Sequence, residues 1–268
     1  MEENQNVMEE EKKILADITN IKTQDTFVLP SKGLVYDPEE NIPASITLRR
    51  MTTKEDKIRM RNEGEDKIRR DILQACILDP EVKAESLKLS DANFLLFRLR
   101  VLSLLDDIYK LQITCPECGT QFIHEIKLSE VPIEYMNEDK LKEFTITLPL
   151  TKQVVTLKLP ALKDIIEMGD YLKKYFAKYP EVDRSETIYI TSAMLYVKEV
   201  NGQFMIKEEL EQWLETMDII DNKAFRKAVT SIDDVFGFDT NLNCQCPNCQ
   251  KEIKHGLPIT AELFNPSL

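Results

Sequence analysis

Two four-residue motifs, Cys115-Pro116-Glu117-Cys118 and Cys246-Pro247-Asn248-Cys249, constrain this 268-residue chain more than any other feature. A CPxC turn presents two thiolates on one side of a tight loop. A structural zinc site takes four such ligands in a tetrahedron, so the two turns together supply one full donor set. Cys115, Cys118, Cys246 and Cys249 are therefore the candidate metal ligands, for one structural zinc per chain. With all four positions filled by cysteine, none is left open for water or substrate, which weighs against a zinc hydrolase. Two disulfides, thiol redox chemistry and a different metal are the competing readings. There are 127 residues between Cys118 and Cys246. Closing ~100 residues costs about 4.7 kcal/mol in chain entropy, against ~10–16 kcal/mol supplied by structural zinc in finger peptides. The metal is expected to clamp two halves of the chain rather than to stabilise a separate small finger.

Other chemistries lack their residues. His124 and His255 are the only histidines, which leaves few general bases. The seven glycines write neither GxG nor GxxxxGK, so Gly-loop phosphate cradles are excluded. No enzymatic activity and no small-molecule substrate are expected. The N-terminus lacks the basic region and apolar core of a secretory signal, and no window reaches the ~18 apolar residues of a membrane span. A reducing interior is the expected compartment, where close cysteines hold metal or do redox chemistry more often than they form disulfides. A net charge of -12 and a pI near 4.9 disfavour a phosphate backbone as the main partner.

The remaining residues of possible chemical interest have plainer roles. Cys76 lies on the apolar face of a predicted helix and reads as core. Cys244 precedes Cys246 by two and competes less well than the CPNC pair for a metal. His124 and His255 stand at equivalent positions, six after the second cysteine of each turn, and read as packing or as outer support for the thiolates. Gln250 stands where the first turn has Gly119, a left-handed position at which a side chain costs ~1–2 kcal/mol. The second turn is therefore expected to be less regular. Lys54, Lys57, Arg59, Arg61, Lys67, Arg69 and Arg70 alternate with Glu55, Asp56, Glu63, Glu65 and Asp66, the pattern of a solvated helix face. Trp213 reads as half-buried.

The two motifs belong to a longer internal likeness. The segment 46–58, ITLRRMTTKEDKI, lies over 155–167, VTLKLPALKDIIE, and each follows a strand ending Leu-Pro. Phe97-Arg98 with Asp106-Asp107 has a counterpart in Phe225-Arg226 with Asp233-Asp234. Both halves read hairpin, helices, strand, knuckle, strand. The expected fold is α+β: a tandem-duplicated β-hairpin with helices, its halves joined by a split four-cysteine zinc ribbon. The expected organisation is an acidic flexible segment over 1–26, a first repeat over 27–135 and a second over 136–268. Alternation in Phe144, Ile146, Leu148 and in Val155, Leu157, Leu159 marks a hairpin. Helices are predicted after Thr52, with Glu55 completing a capping box, and over 66–78, 91–105 capped by Ser90, 164–179, 186–199, 207–217 and 222–232. The helix at 91–105 is apolar nearly all round and so predicted to be central.

Several segments together resemble a known family. LPSKGLVY at 29–36, ITLRRMTTKEDKI at 46–58, DDIYKLQITCPECG at 106–119, CPNC at 246–249 and LFNP at 263–266 are similar to the zinc-knuckle baseplate hub assembly proteins of T-even-type contractile-tailed bacteriophages. The likeness runs from about residue 27 to the end, with 164–217 matched in pattern only. Relatives often carry two aromatic residues before the last proline, where this chain has Leu263-Phe264-Asn265-Pro266. The resemblance implies a non-enzymatic role in building the baseplate hub. Its implied partners are other hub proteins, and its location the host cytoplasm during assembly and then the virion tail. A nucleic-acid-binding or transcription-associated zinc ribbon is the alternative. The Phe264-Asn265-Pro266 segment is expected to dock into the protein's own core or a hub partner.

Overall fold

The computed structural model describes residues 22–238, 241–257 and 259–264. The acidic residues of 1–21 and the Asn265-Pro266 pair lie outside them. The chain is a mixture of helices and small antiparallel sheets. β1 (Gln24–Val28) pairs with β2 (Ser45–Arg49), so the first hairpin starts three residues before the expected boundary at 27. Helices α1 (Thr53–Arg59), α2 (Glu65–Cys76) and α3 (Leu89–Leu104) follow. β3 (Ile108–Thr114) then pairs with β4 (Gln121–Lys127). Beyond β5 (Ile133–Glu134) come β6 (Thr145–Thr147), β7 (Val154–Leu157), α4 (Leu162–Lys178), α5 (Arg184–Met194) and β8 (Val197–Val200). The chain continues through α6 (Lys207–Glu215), α7 (Ile219–Asp233) and β9 (Gly237–Phe238), and the pair β10 (Asn241–Gln245) and β11 (Glu252–Gly256) follows.

Two hydrophobic clusters divide the core. The first gathers β1 to β4 around α3, whose Phe94, Leu95, Leu96, Leu99 and Leu102 are buried on several faces at once, as a helix apolar nearly all round requires. The second packs the β6-β7-β8 sheet against α6 and α7. The last segment does not stay with the second cluster. Cys244, Cys246, Ile253, Leu257, Leu263 and Phe264 cross back and pack in the first. The docking expected of Phe264 is thus into the protein's own core. The lobes meet where Leu89 N donates to Pro160 O (3.1 Å) and Leu162 N to Leu87 O (2.9 Å).

The two lobes share local details. Thr52 N donates to Glu55 Oε2 (2.7 Å) at the start of α1, and Ala161 N to Asp164 Oδ2 (2.8 Å) at the start of α4. In each, an acid three residues into the helix satisfies a free end amide. Each hairpin also turns at a Leu-Pro step held by a buried aspartate, the third residue of the central helix. Ser31 N donates to Asp91 Oδ1 (3.0 Å) and Leu150 N to Asp221 Oδ1 (2.7 Å). Counted from these aspartates, buried Leu95 falls level with buried Phe225.

Two expectations need correction. Residues 186–199 are not one helix: α5 stops at Met194, and the buried Val197 and Val200 form β8 on the edge of β7, where β-branched side chains pack well. Ser90 does not cap α3. The helix starts at Leu89 after Lys88: Lys88 O accepts Ala92 N (2.9 Å) and Pro160 O of the other lobe accepts Leu89 N (3.1 Å), which places Ser90 inside the first turn.

Candidate metal centre

The site begins with strand alternation. In β3, Tyr109, Leu111 and Ile113 point into the core, and the same period of two carries Cys115 inward to 1% exposure. In the β10-β11 pair, Cys244 and then Cys246 point inward, Cys246 again at 1%. The residues between the paired strands form the two turns, so each CPxC motif is the tip of a hairpin.

The tips have matching backbones. Cys115 N donates to Thr120 O (2.9 Å) and Gly119 N to Cys115 O (3.0 Å); Cys246 N donates to Lys251 O (3.0 Å) and Gln250 N to Cys246 O (2.9 Å). Gly119 takes φ +71° and Gln250 φ +59°. The expected irregularity at Gln250 is absent: the glutamine accepts the left-handed conformation, and both hydrogen bonds form.

The tips face each other, and the four sulfurs of Cys115, Cys118, Cys246 and Cys249 lie within 4.8 Å of one another. Two approaches cross between hairpins, at 3.6 Å for Cys115 with Cys249 and 3.6 Å for Cys118 with Cys246. A disulfide is ~2.05 Å long, and all six cysteines are free. Four thiolates at ~2.3 Å from a tetrahedral ion stand about 3.8 Å apart, so the cluster has the size and chemistry of a tetrathiolate metal site. Without a cation the four sulfurs cannot all carry charge. The Thr120 hydroxyl and amide pull the Cys118 thiol down to about 6. At Cys249 the Lys251 amide favours the thiolate, but desolvation and hydrogens shared with Cys118 and Cys115 prevail and push it up to about 12.

Cys244 stands outside the foursome and donates its thiol to Ile253 O (3.8 Å). Cys76 is buried in α2, where desolvation pushes its thiol up to about 12, as befits a core residue. Neither histidine joins the sulfur group; His255 Nδ1 lies 2.7 Å from Gly256 O. Trp213 is half-buried and donates to Gln153 Oε1 (3.0 Å). The basic run on α1 and α2 is largely ion-paired: Arg59 with Asp56, Arg61 and Arg70 with Asp71, Arg69 with Asp66, Lys67 with Asp170.

Arg100 is the supporting residue that motif reading missed. Fully buried, it donates to Leu263 O (2.8 Å), Asp106 O (2.7 Å) and Ile108 O (3.2 Å), joining α3, the start of β3 and the C-terminal turn. An arginine inside LLFRLRVL was the available signal, since a charge in an apolar helix needs partners.

These observations define a class: a mixed helix and small-sheet protein in which a four-cysteine cluster joins remote stretches of one chain. Residues 11–265 match the model of the T4 bacteriophage base plate protein family, and the chain belongs to that family. Comparison with curated proteins and with solved structures gives no match. Membership makes the chain a component of a phage tail baseplate, which is built by association of tail proteins, and points to a structural role. Among the described residues, no helix is long and apolar enough to cross a membrane.

Proposed function

We propose that the protein is a non-enzymatic component or assembly factor of the baseplate hub, stabilised by one zinc ion held by Cys115, Cys118, Cys246 and Cys249. The observation that carries the reading is the convergence of the four sulfurs to within 4.8 Å from hairpins over a hundred residues apart, in a chain of the baseplate family. When bound, zinc supplies four strong bonds to thiolate and no open position for reaction. The protein's own residues set the turns, bury Cys115 and Cys246, and offer the Thr120 hydroxyl, 3.3 Å from Cys118 Sγ, as a donor to that thiolate.

The matched hairpin turns, helix starts and buried aspartates support a tandem duplication, with repeats over 27–135 and 136–268 that share one split zinc ribbon. Partners in this reading are other hub proteins, met in the host cytoplasm during assembly and retained in the virion tail. The nucleic-acid alternative has less support, because the arginines and lysines of α1 and α2 are largely engaged with carboxylates.

Metal analysis with thiol titration tests the site: one zinc per chain and four protected thiols are expected, and metal-free protein with six labile thiols would refute it. Pull-down of the tagged protein from infected cells tests the role. Recovery of hub proteins supports it; recovery of polymerase or nucleic acid instead overturns it.

A further inference from the structure

A cleft opens where the two lobes meet, with a cavity of ≈ 600 Å³ that both lobes wall. Leu89, Ile133 and Phe238 line it from the first cluster, and Leu159 and Phe236 from the second. Its charged lining side chains are Glu134, Asp233 and Asp234, all acids. Glu134 is paired with Lys140, whose ammonium also donates to Val235 O (2.9 Å). Asp233 accepts from the Tyr196 hydroxyl (2.6 Å), a neutral partner. Among the described residues, no lysine, arginine or histidine forms an ion pair with Asp233 or Asp234, so the cleft keeps two uncompensated negative charges.

The placement of that pair is unfavourable in the free protein. Asp233 is the last residue of α7 and Asp234 its cap, with no basic side chain in the last turn. The carbonyls at that end of a helix carry partial negative charge, which favours a cation and disfavours an acid. Desolvation, and then the neighbouring Asp234 charge, raise the Asp233 pKa against the pull of the Tyr196 hydroxyl. A cation seated against the pair relieves both the repulsion and the charge of the helix end. A bare metal ion does not fit: among the described residues, the His, Cys, Asp and Glu side chains grouped closely enough in threes or more to share an ion are the four cysteines. A cation carried on an aliphatic stem does fit, because the stem covers apolar wall while the head meets the carboxylates. Arginine and lysine have that form. A second copy of this chain, at net charge -12, brings mostly like charge to the approach, so the complementary source is a basic segment of a different protein.

We infer that the cleft between the lobes receives an arginine or lysine side chain from a basic segment of another baseplate protein, its head against Asp233 and Asp234 and its stem along the apolar wall. This rests on the reading that the protein works through other tail proteins. An array of overlapping peptides covering the phage's tail proteins, probed with the purified full-length protein, tests it. Peptides that bind are expected to carry arginine or lysine and to lose at least tenfold in affinity when that residue is replaced by glutamine. The same loss is expected against the Asp233→Asn, Asp234→Asn double variant, with its circular dichroism spectrum unchanged. Asp234→Asn alone leaves the Tyr196 bond in place; it is expected to weaken binding in the same direction and, without peptide, to raise the melting temperature. Glu181→Gln removes an exposed acid outside the cleft and is expected to leave binding intact. Binding by peptides that lack a basic residue, affinity that the double variant keeps, or a loss that Glu181→Gln reproduces overturns the inference. So does an array on which nothing binds; if hub proteins are still pulled down from infected cells, the hub reading stands without this cleft. Basic peptides that bind the cleft but come from tail proteins outside the hub keep the inference and overturn the hub assignment.

Discussion

Asp91 and Asp221 hold the same place in the two lobes, third in the central helix and bonded to a Leu-Pro turn, yet their surroundings give them opposite character. Asp221 receives two backbone amides, from Leu150 (2.7 Å) and Thr151 (3.0 Å). Burial opposes its charge, but those amides and nearby Lys152 prevail and hold it below the ordinary 3.8. Asp91 receives one amide, from Ser31, and the Tyr36 hydroxyl (2.8 Å); here burial wins and its pKa is raised. Lobe two closes its turn with an ion held by main-chain dipoles. Lobe one carries a carboxylate that is costly to ionise, and it has in addition the four sulfurs and Arg100. The lesson is that one local device can occur in both lobes while the number of amides that reach it decides whether its carboxylate is easy or costly to ionise.

The comparison breaks most decisively at the metal. Chelation, or Cys115→Ser, is expected to lower the melting temperature by more than about 10 °C, given ~10–16 kcal/mol for structural zinc in peptides and ~2–4 °C per kcal/mol at this chain length. Hydrogen exchange is expected to show amides of 108–127 and 241–257 losing protection while 145–200 keep theirs. Uniform loss across both lobes would show that they are not separable.

Arg100→Leu comes next. It leaves the carbonyls of Asp106, Ile108 and Leu263 without their donor, at ~1–3 kcal/mol for each group that water does not reach. Urea unfolding is the measurement. The cost is expected to fall on lobe one, with protease cleavage near 259–264 as its earliest sign.

The aspartates sharpen the contrast through pH. Asp221 has a lowered pKa, so its contribution is full above 3.8 and is lost as pH falls through the lower folded value. Asp91 has a raised pKa, so its stability is full below 3.8 and is lost as pH rises through the folded value. Thermal melts carried from pH 7 down to about pH 2 are therefore expected to show a cost of Asp221→Asn that is constant above 3.8 and shrinks below it. The effect of Asp91→Asn is expected to be most favourable at pH 7. Parallel profiles would remove the distinction.

The smallest effect concerns the helix starts. Glu55 not only caps α1 but is held by Arg49 through Oε1 (2.8 Å) and Oε2 (3.2 Å), and that guanidinium keeps its carboxyl down at about 2. Asp164 caps α4 with its nearest lysine, Lys158, at 3.9 Å. Glu55→Gln is expected to cost ~1–3 kcal/mol and Asp164→Asn ~0.5–1 kcal/mol. By denaturant titration, equal losses would make the Arg49 pairing irrelevant.

How much of this was legible in the sequence depends on how local the cause is. The four cysteines, the Thr52–Glu55 capping box and the Leu-Pro strand ends each rest on a few adjacent residues, and spacing alone revealed them; the matching box at Ala161 and Asp164 was missed because no Ser, Thr, Asn or Asp stands at its cap. The end of α5 and the start of α3 were misread because the deciding partners, β7 and Pro160, lie far along the chain. The buried aspartates went unnoticed for a different reason: an acid in the first turn of a helix is ordinary, and only the approach of a distant hairpin turn makes it a buried acceptor. The return of 241–264 to the first core was implied by the shared metal, though its packing around Arg100 was not.

That return sets a schedule for synthesis. The second pair of sulfurs follows the first by 131 positions, so at ~5–20 residues per second the ribosome delivers it roughly 7–25 s later. Until then lobe one holds half a metal site and lacks Leu263 and Phe264 from its core, while every residue of the second cluster has already been made. The half of the protein that begins first is thus the half that finishes last. During that interval its two waiting thiols are open to oxidants and to the half-sites of neighbouring nascent chains.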